Sequence, residues 1–186
     1  MLNFMDRVII LLANGFEEIE ALAPLDVLRR LNYDVKLVSM NDTLEVISSH
    51  NVSFKADLLF SEEVYLSAGV IIPGGMPGAK NLRDDLRVLT LVKRFNEEHK
   101  LIASICAGPI VLGKANILTN HYATCYPGFE SELNALEVLK KKVVVSDNVI
   151  TSRGPATAFD FAFEIASYLG LDTSNLLKGM LFKEEY

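Results

Sequence analysis

The chain has 186 residues, half of them apolar and 23% charged, which suits a single globular domain able to bury about 70% of its unfolded surface. Its net charge of −6 argues against nucleic acid and anionic membrane as partners, since both reward clustered Lys and Arg. No apolar run approaches the roughly 18 residues of a membrane span, and two cysteines, Cys106 and Cys125, cannot build a disulfide framework.

Residues 7–12 (RVIILL) read as a buried strand; with charge on both sides, the run is too short for a signal peptide, and a cytoplasmic protein is expected. Residues 17–31 place Ile19, Leu22, Ala23, Leu25, Val27, Leu28 and Leu31 at helical spacing. Residues 34–40 are a second strand, and 44–54 alternate loosely, as a short hairpin or edge pair would. A strand at 70–72 runs into Pro73-Gly74-Gly75. Residues 84–100 read as one helix, with Leu86, Leu89, Val92 and Phe95 on a face. The strand Leu101–Ile105 is followed at once by a helix to about Ala115. A short strand at 122–125 precedes a helix at 130–142, which ends in Lys140-Lys141-Lys142. Val143–Ser146 and Val149–Ser152 flank Asp147-Asn148 as a hairpin. A helix at 156–169 stops at Gly170, and a last one covers 174–182.

Strands alternating with helices imply an α/β protein: a mostly parallel sheet with helices on both faces, in one domain over 1–186. Sites in such folds lie beyond the carboxyl ends of the strands, which selects the loops at 13–20, 73–80, 106–109 and 152–155. Cys106 leaves a strand and enters a helix, with small residues two before and two after it, Ser104 and Gly108. A nucleophile elbow needs that pattern, because bulk there would collide with neighbouring strands. The helix start should favour thiolate. On spacing alone, a buried inert core cysteine fits equally. An N–H of the Gly-Gly turn and the Ala107 N–H would be the two donors of an oxyanion hole, although a plain strand–helix turn explains the same residues. Glu17, Glu18 and Glu20 suit the positive end of a helix; they form either a solvated face or, through Glu20, a partner for Cys106. None of His50, His99 and His121 is followed two positions later by Glu, so a Cys-His-Glu triad is not indicated, and no Cys/His spacing suggests zinc.

Ala-Ser-Ile-Cys-Ala-Gly-Pro (103–109), Ile-Ile-Pro-Gly-Gly (71–75), Asn-Gly-Phe-Glu-Glu-Ile-Glu (14–20) and Thr-Ser-Arg-Gly-Pro-Ala-Thr (151–157) together resemble the ThiJ/PfpI superfamily, and its DJ-one branch in particular. The resemblance implies a flavodoxin-like three-layer sandwich and a homodimer without cofactor or metal. It implies a reactive cysteine at Cys106, a protonated glutamate touching it at Glu20, and backbone donors at Gly75 and Ala107. Gly74 in the same turn, Tyr126, and Arg153 and Pro155 of the Ser-Arg-Gly-Pro segment, which lies near the pocket or the dimer interface in the family, are the implied substrate-binding positions. Three departures stand out. The protease-like branch has His after the cysteine, where this chain has Ala107, which disfavours a peptidase or amidase. Animal members carry His-Pro where this chain has Tyr126-Pro127, and an arginine of their dimer is His50 here. The expected activity is a cysteine-dependent, glutathione-independent glyoxalase or deglycase acting on small carbonyls such as methylglyoxal. The alternative is a non-enzymatic oxidative-stress sensor or redox-regulated chaperone. Nothing in the sequence supports a thiazole or phosphosugar site.

Overall fold

Largely apolar runs, rich in Val, Ile and Leu, form the central strands of the computed structural model, which describes residues 6–182. In chain order the elements are β1 (Val8–Leu12), α1 (Glu18–Arg30), β2 (Val35–Ser39), β3 (Glu45–Ile47), β4 (Ser53–Lys55), β5 (Leu58–Leu59), β6 (Gly69–Ile72), α2 (Gly78–Asp84), α3 (Leu86–Glu97), β7 (Leu101–Ile105), α4 (Ile110–Lys114), β8 (Tyr122–Ala123), β9 (Glu137–Val138), β10 (Val143–Ser146), β11 (Val149–Ser152), α5 (Ala158–Tyr168) and α6 (Ser174–Gly179). Among the described residues, seven strands make one sheet in the order β10-β11-β7-β6-β1-β2-β5. All neighbours are parallel except β10, which returns antiparallel along β11. Every residue of β1, β6 and β7 is buried, the pattern of strands covered on both faces. α1 packs on α5, while α2, α3 and α4 pack on one another.

The sheet order positions the site. From β1 the chain moves outward to β2 and then crosses back to β6 on the other side of β1. The reversal opens a crevice beyond the carboxyl ends of β1 and β6, with the end of β7 next to it.

Several local expectations change. Residues 130–142 are not a helix: Glu130–Glu132 form one 3-10 turn, β9 pairs with β8, and the three lysines lie in the loop before β10. The apolar spacing is satisfied by tertiary contacts instead. The Leu136 N–H donates to Leu118 and His121 carbonyls, the Leu139 N–H donates to Ala123, and Asn134 takes a left-handed φ of 49°. The expected helix at 84–100 begins later, because Asp85 is extended and caps α3 by accepting from the Arg87 N–H at 2.9 Å. α2, ahead of it, lies partly in a segment read as loop. The strand at 122–125 shortens to β8, and the last helix covers Ser174–Gly179. The hairpin β3–β4 forms as a separate two-stranded sheet.

Candidate active site

Cys106 follows β7 directly and sits at φ +63°, a conformation uncommon for a residue with a side chain and kept only where the surroundings over-determine it. They do so here. The Cys106 N–H donates to the Ser152 carbonyl, and its carbonyl accepts from the Tyr126 N–H, both at 2.9 Å. The flanking residues must be small: a Cβ on Gly108 would lie 2.5 Å from Ser104 Oγ, and that hydroxyl donates to the Ile72 carbonyl at 3.1 Å. α4 begins only at Ile110, so the expected helix start is four residues beyond the sulfur and contributes little to it.

α1 brings the second group. Glu20 lies in its first turn and is fully buried. Its Oε2 accepts from the Gly74 N–H at 2.7 Å. Its Oε1 makes no hydrogen bond of ordinary geometry to nitrogen or oxygen, and the carboxyl interacts with the Cys106 thiol. Gly74 is wedged among the components: a Cβ there would stand 2.6 Å from Glu20 Oε2, 2.8 Å from Cys106 Cβ and 2.9 Å from the Ala107 nitrogen. Gly75 takes φ +84°, which favours glycine. This turns its N–H to the sulfur, where it is joined by the Ala107 N–H.

The electrostatics follow from burial. Burial holds the Glu20 carboxyl up at about 7, against the thiol and the Gly74 N–H, which both favour its charged form. Burial pushes the Cys106 thiol up as well, and a charged Glu20 pushes it further, while the Ala107 and Gly75 N–H groups pull it down. The helix start therefore does not leave a lowered thiol. The pair resists carrying two negative charges. With Glu20 protonated the repulsion is removed, and its O–H becomes a donor for the sulfur. Cys125 is fully buried; burial raises its thiol to about 11, with the Glu130 charge adding and the Arg153 charge opposing.

The remaining candidates lie on two neighbouring loops. Tyr126 is half-exposed and stacks over the Gly154 backbone, 3.3 Å from where a Cβ would stand. Pro155 opens a 3-10 turn beside it. Arg153 donates its N–H to Lys142, and its charge acts on Cys125 and Glu130, so the structure groups it with the second cysteine rather than with Cys106. A network that spacing could not reveal lies next to the turn: Glu17 donates its N–H to Gly74 at 3.0 Å, and Glu18 pairs with His50, 32 residues away.

The signature of the DJ-1/PfpI family matches residues 6–168. The chain belongs to this family. It is 34% identical over 161 residues to Protein DJ-1 homolog B of Arabidopsis thaliana, covering 86% of this chain and 37% of that protein; it thus spans well under half of that relative. It is 30% identical to Deglycase PH1704 of Pyrococcus horikoshii over 88% of this chain and 99% of that one. Among solved structures, oxidized Toxoplasma gondii DJ-1 superposes with a TM-score of 0.89 at 34% identity, over 96% of this chain and 99% of that one. Drosophila melanogaster DJ-1beta superposes at 0.90 and 33% identity, with the same shares covered. The fold is thus the flavodoxin-like sandwich of these neighbours, and no described helix is long and apolar enough to cross a membrane.

Proposed function

We propose that this protein is a cysteine-dependent enzyme of small reactive carbonyls, with glyoxalase- or deglycase-like chemistry at Cys106. One observation carries the reading: a buried Glu20 carboxyl, held protonated to about pH 7, faces the Cys106 sulfur beside the N–H groups of Gly75 and Ala107. The deglycase name of the Pyrococcus relative supports it.

The reaction follows from the geometry. The Cys106–Glu20 pair holds one proton: the thiol passes it to the Glu20 carboxylate as the sulfur adds to the aldehyde carbon of a 2-oxoaldehyde such as methylglyoxal, forming a C–S bond. The developing oxyanion is held by the two N–H groups and takes a proton from Glu20. Glu20, now a carboxylate, removes the proton from the hemithioacetal carbon, giving an enediolate. Return of that proton to the adjacent carbon, with the hydroxyl proton moving to the adjacent oxygen, yields a thioester of a 2-hydroxy acid. Water cleaves the thioester, releasing lactate and regenerating the thiol, so no oxidant and no glutathione is consumed. Tyr126, Gly74 and Pro155 border the substrate, with Arg153 further out. Ala107, in place of a histidine base, disfavours amide hydrolysis.

The protein acts as a homodimer, as one domain over 1–186, in the cytoplasm. The unpaired state of both cysteines supports a reducing compartment. An exposed apolar patch of Ile19 (52%), Ile47 (47%) and Val52 (46%), where the β3–β4 hairpin meets α1, supports association. Methylglyoxal consumption matched by lactate release, lost in Cys106→Ser, tests the reading. The oxidized state of the Toxoplasma structure favours a second reading, in which Cys106 oxidation is itself the signal. Peroxide-dependent sulfinate at Cys106 without any carbonyl turnover would select it.

A further inference from the structure

The Gly75 donor is seated by the loop after β1, and that loop is held from outside by one side chain. Residues 13–16 form a turn closed by the Phe16 N–H, which donates to the Ala13 carbonyl at 3.1 Å, with Gly15 at φ +87° in its third position, the arrangement of a type II turn. Gly75 packs backbone to backbone against this loop: a Cβ there would lie 2.4 Å from the Glu17 nitrogen and 2.6 Å from the Gly15 carbonyl oxygen. Backbone hydrogen bonds join the two segments, from the Glu17 N–H to the Gly74 carbonyl at 3.0 Å and from the Gly78 N–H to the Gly15 carbonyl at 3.2 Å. Where residues 13–17 sit therefore sets the direction of the Gly75 N–H, and with it the support given to the Cys106 sulfur.

Asn14 pins that loop. Its Oδ1 accepts from the Ile47 N–H of β3 and from the Asn41 side-chain amide beyond β2, both at 3.0 Å. Its carbonyl accepts from the Asn81 side-chain amide of α2 at 3.2 Å. A main-chain N–H can only donate, so the Ile47 bond settles which amide atom of Asn14 is the oxygen. Beside it, the Gly15 N–H donates to the Ile47 carbonyl and the Ser49 N–H to the Phe16 carbonyl, both at 2.8 Å. One residue thus joins the β3–β4 hairpin, the end of β2 and α2 around the loop on which Gly75 rests. Asn14 is exposed. Truncating it opens no buried cavity, so the lost hydrogen bonds are read apart from core packing.

We propose that Asn14 is a positioning residue for the Gly75 donor of the oxyanion hole; its part in turnover rests on the carbonyl reading, while its part at the sulfur does not. The test compares wild type, Asn14→Ala and Asn14→Asp, the last of which keeps an acceptor oxygen at the Oδ1 position. All are read well below their melting temperatures, by the rate of Cys106 alkylation with iodoacetamide, by the Gly75 and Ala107 amide signals in NMR spectra, and by kcat and KM for methylglyoxal. Removing an oxyanion donor outright costs about 10²–10³ in kcat, so displacing one in Asn14→Ala should lower kcat about tenfold or more and leave KM unchanged. Cys106 alkylation should slow several-fold, because the N–H favours the charged sulfur. The Gly75 amide signal should shift while that of Ala107, which follows β7, stays in place. Asn14→Asp should restore the wild-type behaviour, which a merely structural role would not require. Unchanged alkylation and an unmoved Gly75 signal in Asn14→Ala, or losses in Asn14→Asp equal to those in Asn14→Ala, would overturn the proposal. Absence of methylglyoxal turnover in wild type, with the alkylation and NMR differences intact, would refute the carbonyl reading and uphold the positioning role.

Discussion

Glu20→Gln should alter the pH dependence of stability, because burial raises the carboxyl from 4.5 to about 7 in the fold. The folded chain therefore keeps a proton that the unfolded chain has already released. The favourable contribution is complete below about pH 4.5, falls away as pH rises, and is lost above about pH 7. At 1.36 kcal/mol per pH unit, the interval amounts to about 3 kcal/mol. Glutamine has nearly the same shape. Its carbonyl still accepts from the Gly74 N–H, and its amide donates toward the Cys106 sulfur, but it does not titrate. Urea denaturation at a series of pH values reads the difference directly, since other groups cancel between the two proteins. The stability of the variant relative to wild type should rise by about 3 kcal/mol from about pH 4.5 to about pH 8. Parallel pH profiles would refute the reasoning: Glu20 would then ionise normally, and the protonated donor beside Cys106 would not exist.

Limiting iodoacetamide should label Cys106 before Cys125, because Cys106 retains 8% accessibility and two N–H donors at its sulfur, while Cys125 is fully enclosed; peptide mass spectrometry checks the order. Gly74→Ala should cost about 1–3 kcal/mol in stability and most of the Cys106 reactivity, because the new methyl overlaps Glu20, Cys106 and the Ala107 nitrogen at once; denaturation and thiol-labelling rates measure the two effects. Gly113→Ala should destabilise by a similar 1–3 kcal/mol or so, since its Cβ meets the Glu132 carbonyl and lies 2.8 Å from Leu133 Cα. A neutral result by thermal melting would mean that residues 130–133 do not pack on α4 as described.

The central strands were readable because a strand covered on both faces needs a largely apolar run, and 7–12, 70–72 and 101–105 have one, interrupted only by Arg7 and Ser104. Cys106 was readable for a steric reason: a Cβ on Gly108 would collide with Ser104 Oγ and with the Ile72 and Ile105 carbonyls. Residues 130–142 misled because their apolar residues have near-helical spacing, while the Leu136 N–H donates to the Leu118 and His121 carbonyls and the Leu139 N–H to Ala123. Local periodicity cannot report a partner that lies elsewhere in the chain. The same limit hid the Glu18–His50 pair, whose members are 32 residues apart. It also misplaced the start of α4, so the sulfur gains its donors from two individual N–H groups rather than from a helix end.

The central claim, that Cys106 attacks a carbonyl carbon with Glu20 moving the proton, is tested most directly by rapid-quench mass spectrometry during turnover of methylglyoxal. The account predicts a transient adduct of one methylglyoxal on the peptide carrying Cys106, decaying as lactate appears and absent in Cys106→Ser. It also predicts that Glu20→Ala slows adduct formation and decay together. Lactate formation that persists in Cys106→Ser, or adducts found only on lysine and arginine, would contradict it.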